Sequence, residues 1–104
     1  RLYFPDWMRT IAWRPVGRRQ DGMGDRHVLT VYYAQAGHVV AYSVVSGEPL
    51  PWPRGSVGSA GPYAVRFLRL HGREIVTWRE YGHTCLLSAS GLPPRVLGAL
   101  VAYA

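Results

Sequence analysis

Lysine is missing from this chain: all twelve of its basic residues are arginine, set against six acidic ones, for a net charge of +6. An all-arginine complement reads as the codon bias of a GC-rich genome rather than selection for a ligand. The arginines are also scattered (Arg9, Arg14, Arg26, Arg54, Arg66, Arg69, Arg73, Arg79, Arg95), and only Arg18 and Arg19 are adjacent. A nucleic-acid surface calls for basic runs interleaved with stacking aromatics, so nucleic acid is not an expected partner. An anionic membrane surface stays open as a partner for such charge.

Cysteine is nearly absent. Cys85 stands alone, which excludes an internal disulfide and leaves the redox compartment undecided. Long apolar runs are missing as well. The longest, VLGALVAYA at the C-terminus, falls well short of the roughly 20 residues that a spanning helix needs, and nothing has the form of a signal peptide. The first residue is Arg1 rather than Met, so the chain is expected to be a single domain, 1–104, cut or processed from a longer one.

Apolar residues make up 48% of the sequence and charged residues 17%, the balance of a packed globular domain. Four Trp and seven Tyr against two Phe suit half-buried sheet surfaces, because each carries a polar handle that can reach water.

FPDWMRTIAW predicts a short helix, with Asp6 placed to cap it and Trp7, Met8 and Ile11 on one side. RPVGRRQDGMGDR mixes a strand with turn residues. HVLTVYYA (27–34) and HVVAYSVV (38–45), separated by Gln35-Ala36-Gly37, form a hairpin signature. Period-two alternation groups Leu29, Val31 and Tyr33 on one face, and Val40, Tyr42 and Val44 on one face of the next strand.

The stretch 46–62, SGEPLPWPRGSVGSAGP, holds four of the eight prolines and reads as a long surface loop. Its Trp52 either stands exposed or folds back over the edge of the core. YAVRFLRL, REIVTWRE and HTCLLSA follow, joined by His71-Gly72 and Tyr81-Gly82, as an antiparallel meander. SGLPPRVLGALVAYA then enters a helix at Ser90 or Gly91, with Val96, Leu97, Leu100 and Val101 spaced to lie on the sheet.

The chemistry centres on GREIVTWREYGHTCLLS. On a strand, His83 and Cys85 share a face and could supply two zinc ligands. A structural zinc site takes four ligands and a catalytic one usually three, and there is no second cysteine. An apolar setting also raises a thiol's pKa, against a nucleophilic role for Cys85. The six carboxylates (Asp6, Asp21, Asp25, Glu48, Glu74, Glu80) lie mostly in turns or beside arginines. GSVGSAG lacks the lysine and the following helix of a phosphate loop. No catalytic, metal or cofactor site is expected.

Taken together, Gly72-Arg73, Val76, Trp78, Gly82-His83, Cys85, Leu87 and Ser88 resemble the extracytoplasmic C-terminal domain of actinobacterial transmembrane anti-sigma factors. Trp13, Val16, Gly17, Arg19 and Asp21, the run Thr30 to Tyr33, AYSVVSGEPLPWP (Ala41 to Pro53) and GLPPRVLGAL are similar to the same family; the 54–62 stretch matches poorly. The resemblance implies a membrane-anchored parent whose zinc-binding cytoplasmic part holds a sigma factor inactive. The His-x3-Cys-x2-Cys motif of that part is absent, so no zinc or sigma-binding residue carries over to this sequence. What the resemblance implies for this domain is a non-enzymatic sensor or regulatory role outside the membrane, answering an unknown signal or protease, with His83 and Cys85 as structural members of a hairpin.

The expected fold is α+β and mainly β: an antiparallel meander of five or six strands, a short N-terminal helix, and a C-terminal helix packed on the sheet. The alternative function is a small ligand-binding module with an apolar groove near the Trp52 loop, lined by Trp52, Tyr32, Tyr33 and Tyr42.

Overall fold

β-Branched and aromatic residues alternate along most of the chain, and in the computed structural model, which describes residues 2–104, they build one antiparallel sheet. The elements run α1 (Trp7–Ile11), β1 (Arg14–Met23), β2 (Arg26–Gln35), β3 (His38–Val45), β4 (Ser56–Ala60), β5 (Tyr63–Leu70), β6 (Arg73–Glu80), β7 (His83–Ala89) and α2 (Pro94–Val101). The fold is the mainly β, α+β arrangement expected, with a helix at each end, and the strands number seven. Their order in space is β1-β2-β3-β7-β6-β5-β4. Two meanders therefore meet where β3 pairs with β7, instead of one meander running from end to end.

Three of the connections are two-residue turns with both residues left-handed: Ala36-Gly37, His71-Gly72 and Tyr81-Gly82. Such turns carry the twist that adjacent antiparallel strands need. Glycine takes the second position without a Cβ penalty, while Ala36, His71 and Tyr81 bear the strain of the first. β1 slips register between Pro15 and Gly17, and this bulge with Arg14, Arg18 and Arg19 discourages another strand from adding at that edge.

The alternation groups hold. Val31 faces Tyr42 and Tyr33 faces Val40 across β2 and β3, and Tyr42 faces Leu87 across β3 and β7. Cys85 stands opposite Trp78, and Leu87 opposite Val76. This core face is covered by the two helices. Trp7 lies 4.9 Å from the Tyr33 ring and 5.3 Å from Tyr42, which meets Trp78 edge-on at 5.3 Å. Each such ring buries about 150–250 Å², a gross transfer gain of roughly 4–6 kcal/mol before entropy is counted. Trp7 also joins the ends of the chain, donating its indole N–H to the Tyr103 carbonyl at 3.1 Å.

Several local details depart from expectation. Asp6 occupies the cap position of α1, but its side chain makes no capping bond. Met8 is 53% exposed and only Trp7 of the helix is buried, because five residues make barely more than one turn. α2 begins at Pro94 with Pro93 as its cap, so Ser90 and Gly91 belong to the preceding turn. RPVGRRQDGM forms a full ten-residue strand. The long loop shortens to 46–55, since Ser56–Ala60 pairs with β5. Gly58 belongs there for a packing reason: a Cβ would lie 2.8 Å from the Phe67 ring. Neither helix is long and apolar enough to cross a membrane.

Leu97 is fully buried on the sheet-facing side of α2 and Met8 of α1 is exposed, so their truncations should differ sharply. Leu97→Ala should lose about 2–5 kcal/mol in urea unfolding, whereas Met8→Ala should stay within about 0.5 kcal/mol. Equal losses would contradict this layering.

Candidate functional site

β3 ends beside β7, but β4 lies at the far edge of the sheet, so residues 46–55 must pass over β7, β6 and β5. They do so on the face opposite the helices. Alternation there presents Thr84, Leu86 and Ser88 from β7, Ile75, Thr77 and Arg79 from β6, and Arg66, Leu68 and Leu70 from β5. The crossing segment is a strap, fastened mainly along its first half. Ser46 N–H donates to His27 O at 2.9 Å, and its hydroxyl accepts from His27 N–H at 2.8 Å. Arg26 donates to the Ser46 and Glu48 carbonyls. His83 Nδ1 donates to Gly47 O at 2.9 Å. Leu50 is held from both sides: its N–H donates to Thr84 Oγ1 at 2.8 Å, and its carbonyl accepts from Arg79 Nη2 at 2.8 Å.

Beyond Leu50 the strap lays Trp52 over the sheet. The guanidinium carbons of Arg66 and Arg79 lie 4.7 and 4.6 Å from the Trp52 ring centroid, within cation–π range. Prolines at 49, 51 and 53 hold the strap extended and remove donors that this crossing would otherwise leave without a ladder partner. Between strap and sheet lies a cavity of about 240 Å³, lined chiefly by Leu50, Trp52, Leu68, Ile75 and Leu86, with Thr77, Thr84 and Arg79 as its polar members.

Of the four residues expected to line an apolar groove, only Trp52 does. Tyr32 shares its face of the sheet but borders a separate polar trough with Arg19, Thr30, Ser43 and Ser88. Tyr33 and Tyr42 are on the core face, 2% and 0% exposed. Consecutive residues of a strand point to opposite faces, so the Tyr32-Tyr33 pair could never serve one groove. Trp52 does fold back, though over the second face of the sheet and not the edge of the main core. Leu68, Ile75 and Leu86 were overlooked as groove residues although they leave a trace. Phe67-Leu68, Ile75-Val76 and Leu86-Leu87 are consecutive apolar pairs in adjacent strands, the mark of a sheet covered on both faces.

His83 and Cys85 do not form a reactive pair. His83 anchors the strap, and Cys85 is 2% exposed between Val44 and Trp78. The Glu80 carboxylate, also buried, accepts the Tyr42 hydroxyl at 3.1 Å and the Trp78 indole N–H at 3.2 Å. Burial, reinforced by the Glu80 charge, pushes the Cys85 thiol up to about 12. Burial likewise raises the Tyr42 hydroxyl, followed by the charges of Cys85 and Glu80. Among the described residues, no three His, Cys, Asp or Glu side chains are grouped to hold a metal.

Because the folded thiol keeps its proton to about 12 and an ordinary thiol loses it near 9, the folded chain binds more protons between those values. Stability should therefore be unaffected by Cys85 below that window and fall as pH rises through it. Urea midpoints at pH 7, 9 and 10 should decline less steeply in Cys85→Ala than in the parent chain. At pH 8 the native thiol should react slowly with a disulfide reagent until denaturant is added; rapid labelling without denaturant would contradict its burial.

Set against family models, curated proteins and solved structures, the chain matches none of them.

Proposed function

We propose that this domain is a non-enzymatic binding module that takes an apolar ligand in the strapped groove, and that it serves as the extracytoplasmic sensor of a membrane-anchored anti-sigma factor. The observation that carries the binding part is the groove: an apolar cavity of about 240 Å³ under a segment that is fastened to the sheet yet belongs to no strand. Water inside an apolar cavity forgoes hydrogen bonds, so an apolar group displaces it favourably. The strap rests on a handful of hydrogen bonds to Thr84, Arg79, His83 and Arg26. A ligand between Leu50 and Leu86 that favoured one strap position over another would shift the strap's population, which is the property a sensor needs.

The regulatory part rests on the motifs. Trp78 and Cys85, which the anti-sigma resemblance makes hairpin residues, pack opposite each other in β6 and β7, while Gly82 forms the turn. Eight of the thirteen positions in AYSVVSGEPLPWP, residues 46–53, belong to the strap, among them Gly47 and Leu50, which are hydrogen-bonded to the sheet, and Trp52, which lines the groove. In this reading the domain stands close to the outer membrane surface, and the sigma factor is held by another part of the parent chain.

Two measurements test the two parts separately. Titrating the 104-residue chain with decanol, a neutral apolar probe, should give saturable shifts of the Trp52 indole N–H resonance, abolished in Leu68→Asp; no shift at any soluble concentration would remove the groove as a binding site. Intact mass and N-terminal sequencing of the native chain from source membranes should find an upstream apolar span of about 20 residues preceded by a His-x3-Cys-x2-Cys motif. A native chain lacking both would end the anti-sigma placement and leave the groove untouched.

A further inference from the structure

The groove has a charged end: Arg79 lines it, and Arg66, which does not itself line the cavity, meets the same Trp52 ring. Arg66 and Arg79 both stack on Trp52, and their hydrogen bonds leave most of their donors unused. Arg79 gives one N–H to Leu50 O, and Arg66 makes only a 3.4 Å contact with Val65 O. Among the described residues the ion pairs are Arg19–Asp21 and Arg69–Glu74, so neither stacked arginine has a carboxylate partner. Glu74 and Glu80 are on strand β6 with Arg79 but point to the core face, as alternation requires. Two cations gathered on one aromatic ring, with no ion-paired carboxylate among the described residues, form half of a charge pair.

From that end the cavity runs along an apolar floor. Arg66 is level with Thr77 across β5 and β6, Leu68 with Ile75, and Leu70 with Arg73. Leu86 of β7 stands beside Thr77. The order along the sheet is thus cation, then leucine and isoleucine with Leu50 and Trp52 above, and then, beyond the apolar floor, Arg73, whose guanidinium donates to Ser88 at 3.2 Å. At about 240 Å³ the space is below the roughly 300–1,000 Å³ that encloses a drug-sized ligand. It is large enough for an apolar segment of medium length and too small for a steroid or a whole phospholipid.

We infer that the groove binds a linear acyl anion, its carboxylate held by Arg66 and Arg79 beside Trp52 and its chain lying between Leu50 and the Leu68–Ile75–Leu86 floor. This rests on the groove's being a binding site, the first part of the preceding proposal. Guanidinium matches a carboxylate with two parallel N–H donors, and stacking on the indole holds its plane in place before the ligand arrives. The apolar floor supplies attraction for the chain and the arginines supply selection for the acid.

Decanoate, decanol and acetate titrated separately into the 104-residue chain at low salt, followed through the Trp52 indole resonance, separate the possibilities. Decanoate should bind about tenfold tighter than decanol, the scale of one charge-assisted hydrogen-bonded contact, and acetate should give no saturable shift. Raising the salt should narrow the gap. Arg66→Gln, which breaks no strap hydrogen bond but removes one of the two cations on Trp52, should reduce the preference for decanoate over decanol, with decanol affinity changing less than decanoate affinity. Arg9→Gln, the same charge change on the exposed face of α1, should alter neither. Equal affinities for decanoate and decanol in the parent chain, or loss of decanoate preference in Arg9→Gln as well, would overturn the inference while leaving an apolar groove. Failure of both probes would remove the groove and the inference together.

Discussion

Five register pairs between β3 and β7, from Ala41 opposite Ser88 to Val45 opposite Thr84, join two hairpin stacks that are separate in the chain. Once the third strand pairs with the last, the strand that follows it in sequence must start at the opposite edge. The chain then has to cross three strands, and the helices already occupy one face. The crossing is driven onto the other face, where a run rich in proline can stay extended without ladder bonds. The strap, the cavity under it and the placement of Trp52 all follow from that pairing.

The same pairing centres the core. Tyr42 on β3 reaches across β7 to Glu80 on β6, and the indole of Trp78 donates to the same carboxylate oxygen. A buried carboxylate is costly unless its lone pairs are used. Here two aromatic donors from two strands use them, so a group that would favour unfolding if left bare instead fixes how the two halves of the sheet sit together. Cys85 is packed beside this arrangement, with its proton held by burial and by the neighbouring negative charge. Its environment is that of a small core residue and not of a nucleophile.

The two faces of the sheet divide the work. On the core face, aromatic rings and helices exclude water and hold the domain together. On the other, a polar trough with Thr30, Ser43 and Ser88 gives way, within β7 and β6, to the apolar floor under the strap. Arg79 borders that floor, Arg66 meets the same Trp52 ring, and among the described residues neither has a carboxylate partner. A strap fastened by single hydrogen bonds is the part of the molecule with the least to lose on moving, since the strands on either side are tied by continuous ladders.

Alternation and turn chemistry are local properties, and they made β2, β3, β5, β6 and β7, their X-Gly turns, the closing helix and the shared face of Val40, Tyr42 and Val44 legible in the sequence alone. Ser56–Ala60 was not legible as a strand: serine, glycine and alanine have little intrinsic preference for one, and the segment pairs because Gly61-Pro62 turns it back onto β5. Alternation already separates Tyr32 from Tyr33, but which face the helices cover and which the strap covers exists only when the sheet has formed. The sequence by itself determined a mainly β domain with one cysteine in an apolar setting and a proline-rich loop. Only the tertiary structure decided that β3 pairs with β7, that the crossing roofs a cavity, and that two arginines distant in sequence stack on one tryptophan, because long-range pairing is chosen by the packing of the whole chain and leaves no mark at fixed spacing.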